Sequence, residues 1–186
     1  MKDLIDINKI NINPTDAPDK EFIYIDIDAV ENGTGKYSIE KTFLGKRAPS
    51  RARRIANKGS TIISTVRPNL KGFAYIAETI ENSVFSTGFA VLNSKDEKIL
   101  INLMIYYLFM YSEGLMKQMI AAMPKGQYPS INKGDIDNFI LVIPPRTEQE
   151  KILSDIAEYE AKIAICEQKI QSLPTQKQAI LEKYLH

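Results

Sequence analysis

Apolar and polar residues alternate loosely from Asp3 to Ile12, as an opening strand would, and the segment from Asn13 to Glu21 breaks the pattern with two prolines and several turn formers. Alternation resumes from Phe22 to Val30. Phe22, Tyr24, Asp26 and Asp28 fall on one face and Ile23, Ile25 and Ile27 on the other, which predicts a half-buried strand. Asn32-Gly33-Thr34-Gly35 is a turn, because Gly and Asn tolerate positive φ. Ala48 to Lys58 is short, cationic and partly helix-compatible, and after Gly59 the β-branched run Thr61 to Val66 predicts a strand. The chain must leave that strand at Arg67-Pro68-Asn69-Leu70-Lys71-Gly72, since Pro68 has no N–H for the ladder. Two more strand-like pieces follow, FAYIA from Phe73 and SVFSTGFAVL from Ser83, separated by an acidic turn from Glu78 to Asn82.

From Ile99 to Met123 the period becomes helical, with Leu103, Tyr107, Met110 and Leu115 as near-neighbours on one side. The richness in Met, Leu and Tyr favours a buried core helix over a partner groove, and Pro124 ends it. Ile136 to Ile143 reads as a last buried strand closed by Pro144-Pro145. Thr147-Glu148-Gln149-Glu150 has the form of a capping box that starts a helix. Beyond it Ile152, Ile156, Tyr159, Ile163, Cys166, Ile170 and Leu173 recur at alternating spacings of four and three, a heptad seam flanked by charge. After Pro174 the phase resumes at Ile180 and Tyr184, as if a kinked or second helix continued it. So narrow a stripe favours a partner helix over the chain's own core, and it makes Cys166 a packing residue rather than a reactive thiol. The expected class is α+β: a compact mixed α/β domain over residues 1–145, then a long C-terminal coiled-coil helix over 146–186.

Composition supports this and adds one asymmetry. At 186 residues with 44% hydrophobic and 25% charged content, the chain can bury a real core. One cysteine excludes an internal disulfide, no His or Cys cluster has metal-ligand spacing, and no apolar stretch is long enough to span a membrane. With no signal-peptide pattern at the start, a cytoplasmic location is expected. The 24 Lys and Arg nearly balance the 23 Asp and Glu, yet nine of those cations lie between Lys41 and Lys71, and no acid falls between Glu40 and Glu78. A local excess of this kind suits a polyanion, and nucleic acid is the commonest.

The residues expected to meet DNA are Lys46, Arg47, Arg51, Arg53, Arg54, Lys58, Ser64, Thr65, Arg67, Asn69 and Lys71. Lys125, Gln127 and Tyr128 join them from a constrained Gly-Pro loop. Arg51, Arg53, Arg54 and Lys58 are assigned to phosphates. Arg67, Asn69 and Gln127 have the planar donors that read base edges. Asp26 and Asp28 could suggest a metal or acid/base pair, but no third carboxylate or His stands near them, so a solvated strand face or a loop-organising acid is favoured. No catalytic, metal or cofactor residue is assigned. There is no Asn-Pro-Pro-Tyr or Asp-Pro-Pro-Tyr and no Gly-rich cofactor loop, and Glu167-Gln168-Lys169 sits where a heptad helix carries charge anyway.

The order of short motifs resembles the specificity subunits of type I restriction-modification systems: Gly59 to Arg67 with Asn69, Ser86 to Leu92, Tyr128 to Asn132, and Ile143 to Ile152. The resemblance spans essentially the whole chain. It implies a target recognition domain that reads one half of a split site in double-stranded DNA, without catalysis of its own. It also implies a helix that serves as spacer and dock for a DNA methyltransferase (modification) subunit and possibly a restriction subunit. Members of that family usually carry two recognition domains and two helices, whereas one of each is found here. The chain therefore resembles a half-length subunit or one recognition unit of a longer protein. A homodimer through Ile152, Ile156, Tyr159, Ile163, Cys166, Ile170, Leu173, Ile180 and Tyr184 would restore a two-fold layout. The other reading is a coiled-coil adaptor whose basic segment binds an acidic protein partner; a binding constant nearly flat in salt would favour it.

Overall fold

Ile62 and Ile63 point to opposite sides of a strand and both are completely buried, so the sheet that holds them needs cover on both faces. The computed structural model describes residues 1–124, 126 and 129–185. Its elements in order are β1 (Ile5–Ile7), β2 (Glu21–Ile25), β3 (Thr42–Leu44), β4 (Ala52–Arg54), β5 (Thr61–Ser64), β6 (Phe73–Tyr75), β7 (Ser83–Ser86), β8 (Phe89–Ser94), α1 (Asn102–Tyr111), α2 (Glu113–Ala122), α3 (Lys133–Asn138) and α4 (Arg146–Leu185). These fall into two units, Met1–Arg146 and Thr147–His186.

In the first unit one sheet has the order β1-β8-β5-β6 and is antiparallel throughout; the other has the order β3-β2-β7-β4, with β2 and β7 parallel. Ile62, Ala74, Ile76, Phe89 and Val91 of the first sheet pack with Ile25 and Phe85 of the second, and this is the main core. The opposite face of the first sheet takes α1, where Phe73 meets Phe109 edge-to-face with ring centroids 6.3 Å apart. The far face of the second sheet is closed by Phe22, Ala52 and Val84 with Phe43 stacked on Phe22. Each such buried aromatic contributes on the order of 1.5–3 kcal/mol by leaving water.

Several expected elements change type. β2 stops at Ile25, and the Asp26 carboxylate accepts the Ala29 N–H at 3.2 Å to cap a single 3-10 turn, so Asp26 and Asp28 share no strand face. Ala48 to Lys58 contains β4 rather than a helix: Ala52 is buried against Phe22 and Val84, and pairing with β7 outweighs local propensity. The stretch SVFSTGFAVL is cut at Thr87-Gly88, which carries the chain from one sheet to the other. The long helix is divided at Ser112, whose hydroxyl accepts the Leu115 N–H and starts α2, and the buried face of α1 centres on Ile105 and Phe109 rather than Tyr107.

The expected strand from Ile136 to Ile143 is absent. Its first residues end α3, which Asn132 and Asp135 start with a reciprocal capping box. Ile140 and Val142 are 74% and 85% exposed, and the Gln118 amide takes both the N–H and the C=O of Ile140 in place of a neighbouring strand. α4 already includes Arg146 and Thr147, so Thr147 is inside the helix rather than its cap, and α4 runs unbroken through Pro174. An interior proline lacks the N–H that would meet the Ile170 carbonyl and costs about 3 kcal/mol relative to Ala. Pro174→Ala is therefore expected to raise the helical signal of α4 in far-ultraviolet circular dichroism and to move its melting to higher temperature.

Candidate nucleic-acid interface

β5 ends at Ser64, and the next three residues are held from both sides. Thr65 N–H and its hydroxyl both donate to the Gly88 carbonyl at 2.8 Å, while on the other flank Ile131 N–H donates to the Thr65 carbonyl at 2.9 Å. Arg67 N–H donates to the Pro129 carbonyl at 2.8 Å, and Val66 pairs with Ser130 as an isolated antiparallel bridge. Three stretches far apart in sequence thus meet at one backbone corner. A Cβ at Gly88 would run into the Cδ1 of Ile27, so a side chain there would require the Ile27 side chain to move.

Beyond the corner the chain makes a single 3-10 turn, Pro68–Leu70, between two residues in the left-handed region, Arg67 at φ 47° and Lys71 at φ 57°. Such conformations cost a non-glycine residue roughly 1–3 kcal/mol and persist where the surroundings enforce them. Here the Lys71 carbonyl accepts the Gly33 N–H at 2.9 Å, and the Lys71 ammonium lies 5.9 Å from the centre of the Tyr111 ring. Arg67 and Asn69 stand exposed on the turn.

Two adjoining clefts flank this corner and share Ile27, Asp28 and Val66. One, of about 360 Å³, is lined further by Asn32, Ser64, Arg67 and Leu70; the other, of about 620 Å³, by Tyr24, Asp26, Arg51, Ser86 and Ser130. Ser64 is buried and its hydroxyl donates to the Val66 carbonyl, so it shapes the corner rather than facing outward. Arg51 is exposed and its side chain has no hydrogen bond or ion pair with another described residue.

Four other cations of the basic segment, Lys41, Lys46, Lys58 and Arg54, meet partners from outside it, and Arg53 turns back on its own backbone. Lys41 pairs with Asp26 at 2.6 Å, and this hydrogen bond holds its ammonium above the ordinary lysine value. Lys46 pairs with Asp19 at 3.0 Å and Lys58 with Glu78 at 3.1 Å. Arg53 donates to the Ala52 carbonyl at 2.8 Å, and Arg54 to Asn11 Oδ1 at 2.6 Å, with burial pulling the Arg54 guanidinium below its usual value. Arg47 is exposed. The predicted residues therefore do not form one free basic strip; Arg51, Arg67 and the turn at Asn69 are brought to the clefts, and Lys46, Lys58, Arg53 and Arg54 are engaged locally. Lys125, Gln127 and Tyr128 lie outside the described residues. Asn32, Ser86 and Ser130 were missed as site residues, although Ser86 and Ser130 belong to the motifs that meet here.

In the second unit Tyr159, Ile163, Cys166, Ile170, Leu173, Ile180 and Tyr184 are all exposed. Ile170, Leu173, Ile180 and Leu181 border a shallow apolar groove beside Pro174. Among the described residues no group of three or more His, Cys, Asp or Glu could hold a metal ion, and no helix is long and apolar enough to cross a membrane.

The family model for the type I restriction modification DNA specificity domain matches residues 1–175. The type I restriction enzyme HindI specificity subunit of Haemophilus influenzae is 25% identical over 177 residues, 95% of this chain and 35% of that protein. Among solved structures, the HsdS subunit from Thermoanaerobacter tengcongensis has a TM-score of 0.72 at 28% identity, over 93% of this chain and 43% of that one. A chain from a structure on complex assembly and conformational transition of the type I R-M system gives 0.73 at 27% identity, over 96% and 47%. The chain thus spans about a third of the curated relative and under half of each solved chain.

The corner can be tested by Thr65→Val, which keeps the shape and the backbone bond to Gly88 but removes the hydroxyl. A loss of about 1 kcal/mol in urea unfolding is expected.

Proposed function

The chain belongs to the type I restriction modification DNA specificity family, and on that premise we propose that its first unit reads one half of a two-part sequence in double-stranded DNA. The observation that carries this reading is the convergence of the three motif segments at Thr65 to Arg67, which holds a turn bearing Arg67 and Asn69 beside two clefts of mixed polar and apolar lining. A turn enforced in a costly conformation is preorganised, so its side chains lose little freedom on binding. Arg51 supplies phosphate contact, and Arg67 and Asn69 address base edges, with Gln127 a further candidate.

α4 offers its exposed seam to a second copy of the chain, giving a homodimer that reads an inverted, interrupted target in cytoplasmic DNA. Nine large apolar residues exposed on one helix suit an interface better than water: Tyr159, Ile163, Ile165, Ile170, Leu173, Ile180, Leu181, Tyr184 and Leu185. The same helix region docks a methyltransferase subunit and, in a restricting complex, a restriction subunit. The chain acts there as a non-catalytic guide.

Two measurements check this. In duplex binding titrated against salt, Arg51→Ala is expected to weaken all sequences alike and to reduce the salt slope by about 1, whereas Asn69→Ala relaxes preference at one base pair by about 1–3 kcal/mol. Affinity independent of salt would overturn the DNA reading and favour an adaptor for an acidic protein. In light scattering the intact chain is expected at twice its own mass, and Ile163→Asp at the monomer mass; a wild-type monomer would remove the homodimer.

A further inference from the structure

Two carboxylates line the clefts, and their situations differ. Asp26 is committed: it accepts the Ala29 N–H and the Lys41 ammonium. Asp28 is exposed, lines both clefts where they adjoin, and has no hydrogen bond or ion pair with another described residue. Arg51 lines one of those clefts and Arg67 the other, so an anion with no hydrogen-bonded partner, its nearest compensation the Coulombic pull of Lys41, stands on the surface that also holds the two cations assigned to DNA.

An acid in that place repels phosphate and lowers affinity for every duplex. It is compatible with a DNA-facing cleft only where it meets a hydrogen-bond donor. In the major groove the donors on base edges are the N4 amino group of cytosine and the N6 amino group of adenine. Adenine sets its N7 acceptor beside that amino group, guanine shows two acceptors and thymine one, and each of these acceptors repels a carboxylate. Cytosine alone offers a donor with no acceptor on its own edge, the acceptors of the pair belonging to the guanine. A carboxylate, which can only accept, is matched to cytosine and mismatched to the other three.

We propose that Asp28 is a specificity-determining residue that accepts a hydrogen bond from cytosine N4 and excludes the other bases at that position. The inference rests on the DNA-reading function above and adds to it a residue outside the basic segment and the base it selects. Asp28 gives up general affinity for discrimination, while Arg51 restores affinity from the adjoining cleft. The surrounding turn fixes the backbone that carries the carboxylate, since the Asp26 cap and the Val30 N–H to Ile27 carbonyl bond hold residues 26–30.

The test is enrichment of a randomised duplex pool by the full chain, followed by sequencing, for wild type, Asp28→Ala and Asp28→Asn. Wild type is expected to enrich a motif with cytosine at one position. Asp28→Ala should lose roughly 10-fold to 100-fold of the preference at that position alone while binding random duplex more tightly. Asp28→Asn should shift that position from cytosine toward adenine, because an amide can donate to N7 and accept from N6 together. A gain in affinity for all duplexes with an unchanged motif in both variants would reduce Asp28 to a phosphate-repelling charge and overturn the proposal. So would a change confined to a position occupied by an A·T pair. A wild-type chain that enriches nothing would instead remove the DNA-reading function itself, an outcome separate from either of these.

Discussion

The bifurcated bond at the Gly88 carbonyl, which accepts both the amide and the hydroxyl of Thr65, is the constraint on which the site depends. It ties the end of β5 to the corner between β7 and β8, where the chain crosses from one sheet to the other. With that flank fixed, the Thr65 carbonyl faces the other way and takes the Ile131 amide, which draws in the segment before α3. The next residues then have little freedom. Arg67 and Lys71 are held in the left-handed region by bonds to Pro129 and Gly33, and the side chains between them project from a turn they could not hold alone.

Much of this frame was legible in the chain. The strand at Thr61, the turn imposed by Pro68 and the helical state of α4 each follow from a local rule, because each is set by neighbouring residues. What was not legible depends on distant parts. The basic segment has no acid in sequence, yet Asp19, Asp26 and Glu78 come to Lys46, Lys41 and Lys58 through the fold. Charge counted along the chain therefore overstates charge available at the surface. Ile136 to Ile143 is apolar enough for a strand, but a strand needs an edge to pair with, and the Gln118 amide occupies the backbone of Ile140 instead. Ser112 divides a helix that its hydrophobic period would have continued, since a serine hydroxyl can serve as a cap wherever the chain bends.

α4 shows the opposite balance: the sequence pattern predicts a helix and a helix is observed, although it begins before Thr147 and continues unbroken past Pro174, where a kink or second helix was expected. Its helix is 40 residues long, and length itself helps, because the nucleation cost is met once and spread over many turns. The interior Pro174 works against that gain. A helix that tolerates a proline while exposing Ile170, Leu173 and Ile180 beside it gains its stability more readily from association than from intrinsic propensity. That is the physical reason for assigning the seam to a partner.

The same economy governs the clefts. Exposed ion pairs such as Lys46 with Asp19 and Lys58 with Glu78 contribute at most about 1 kcal/mol to folding, so their main effect is on the surface potential, which they lower. A reader of sequence gains from that reduction. Phosphate attraction is identical at every site, and whatever part of the affinity it supplies cannot discriminate. On the proposed function, pairing Lys41, Lys46 and Lys58 with acids and setting Arg51, Arg67 and Asp28 around one corner shifts the balance from general attraction toward contacts whose sign depends on the base. A mixed cleft is then the expected outcome of a surface built to choose, and a uniformly basic one would belong to a protein that only holds on.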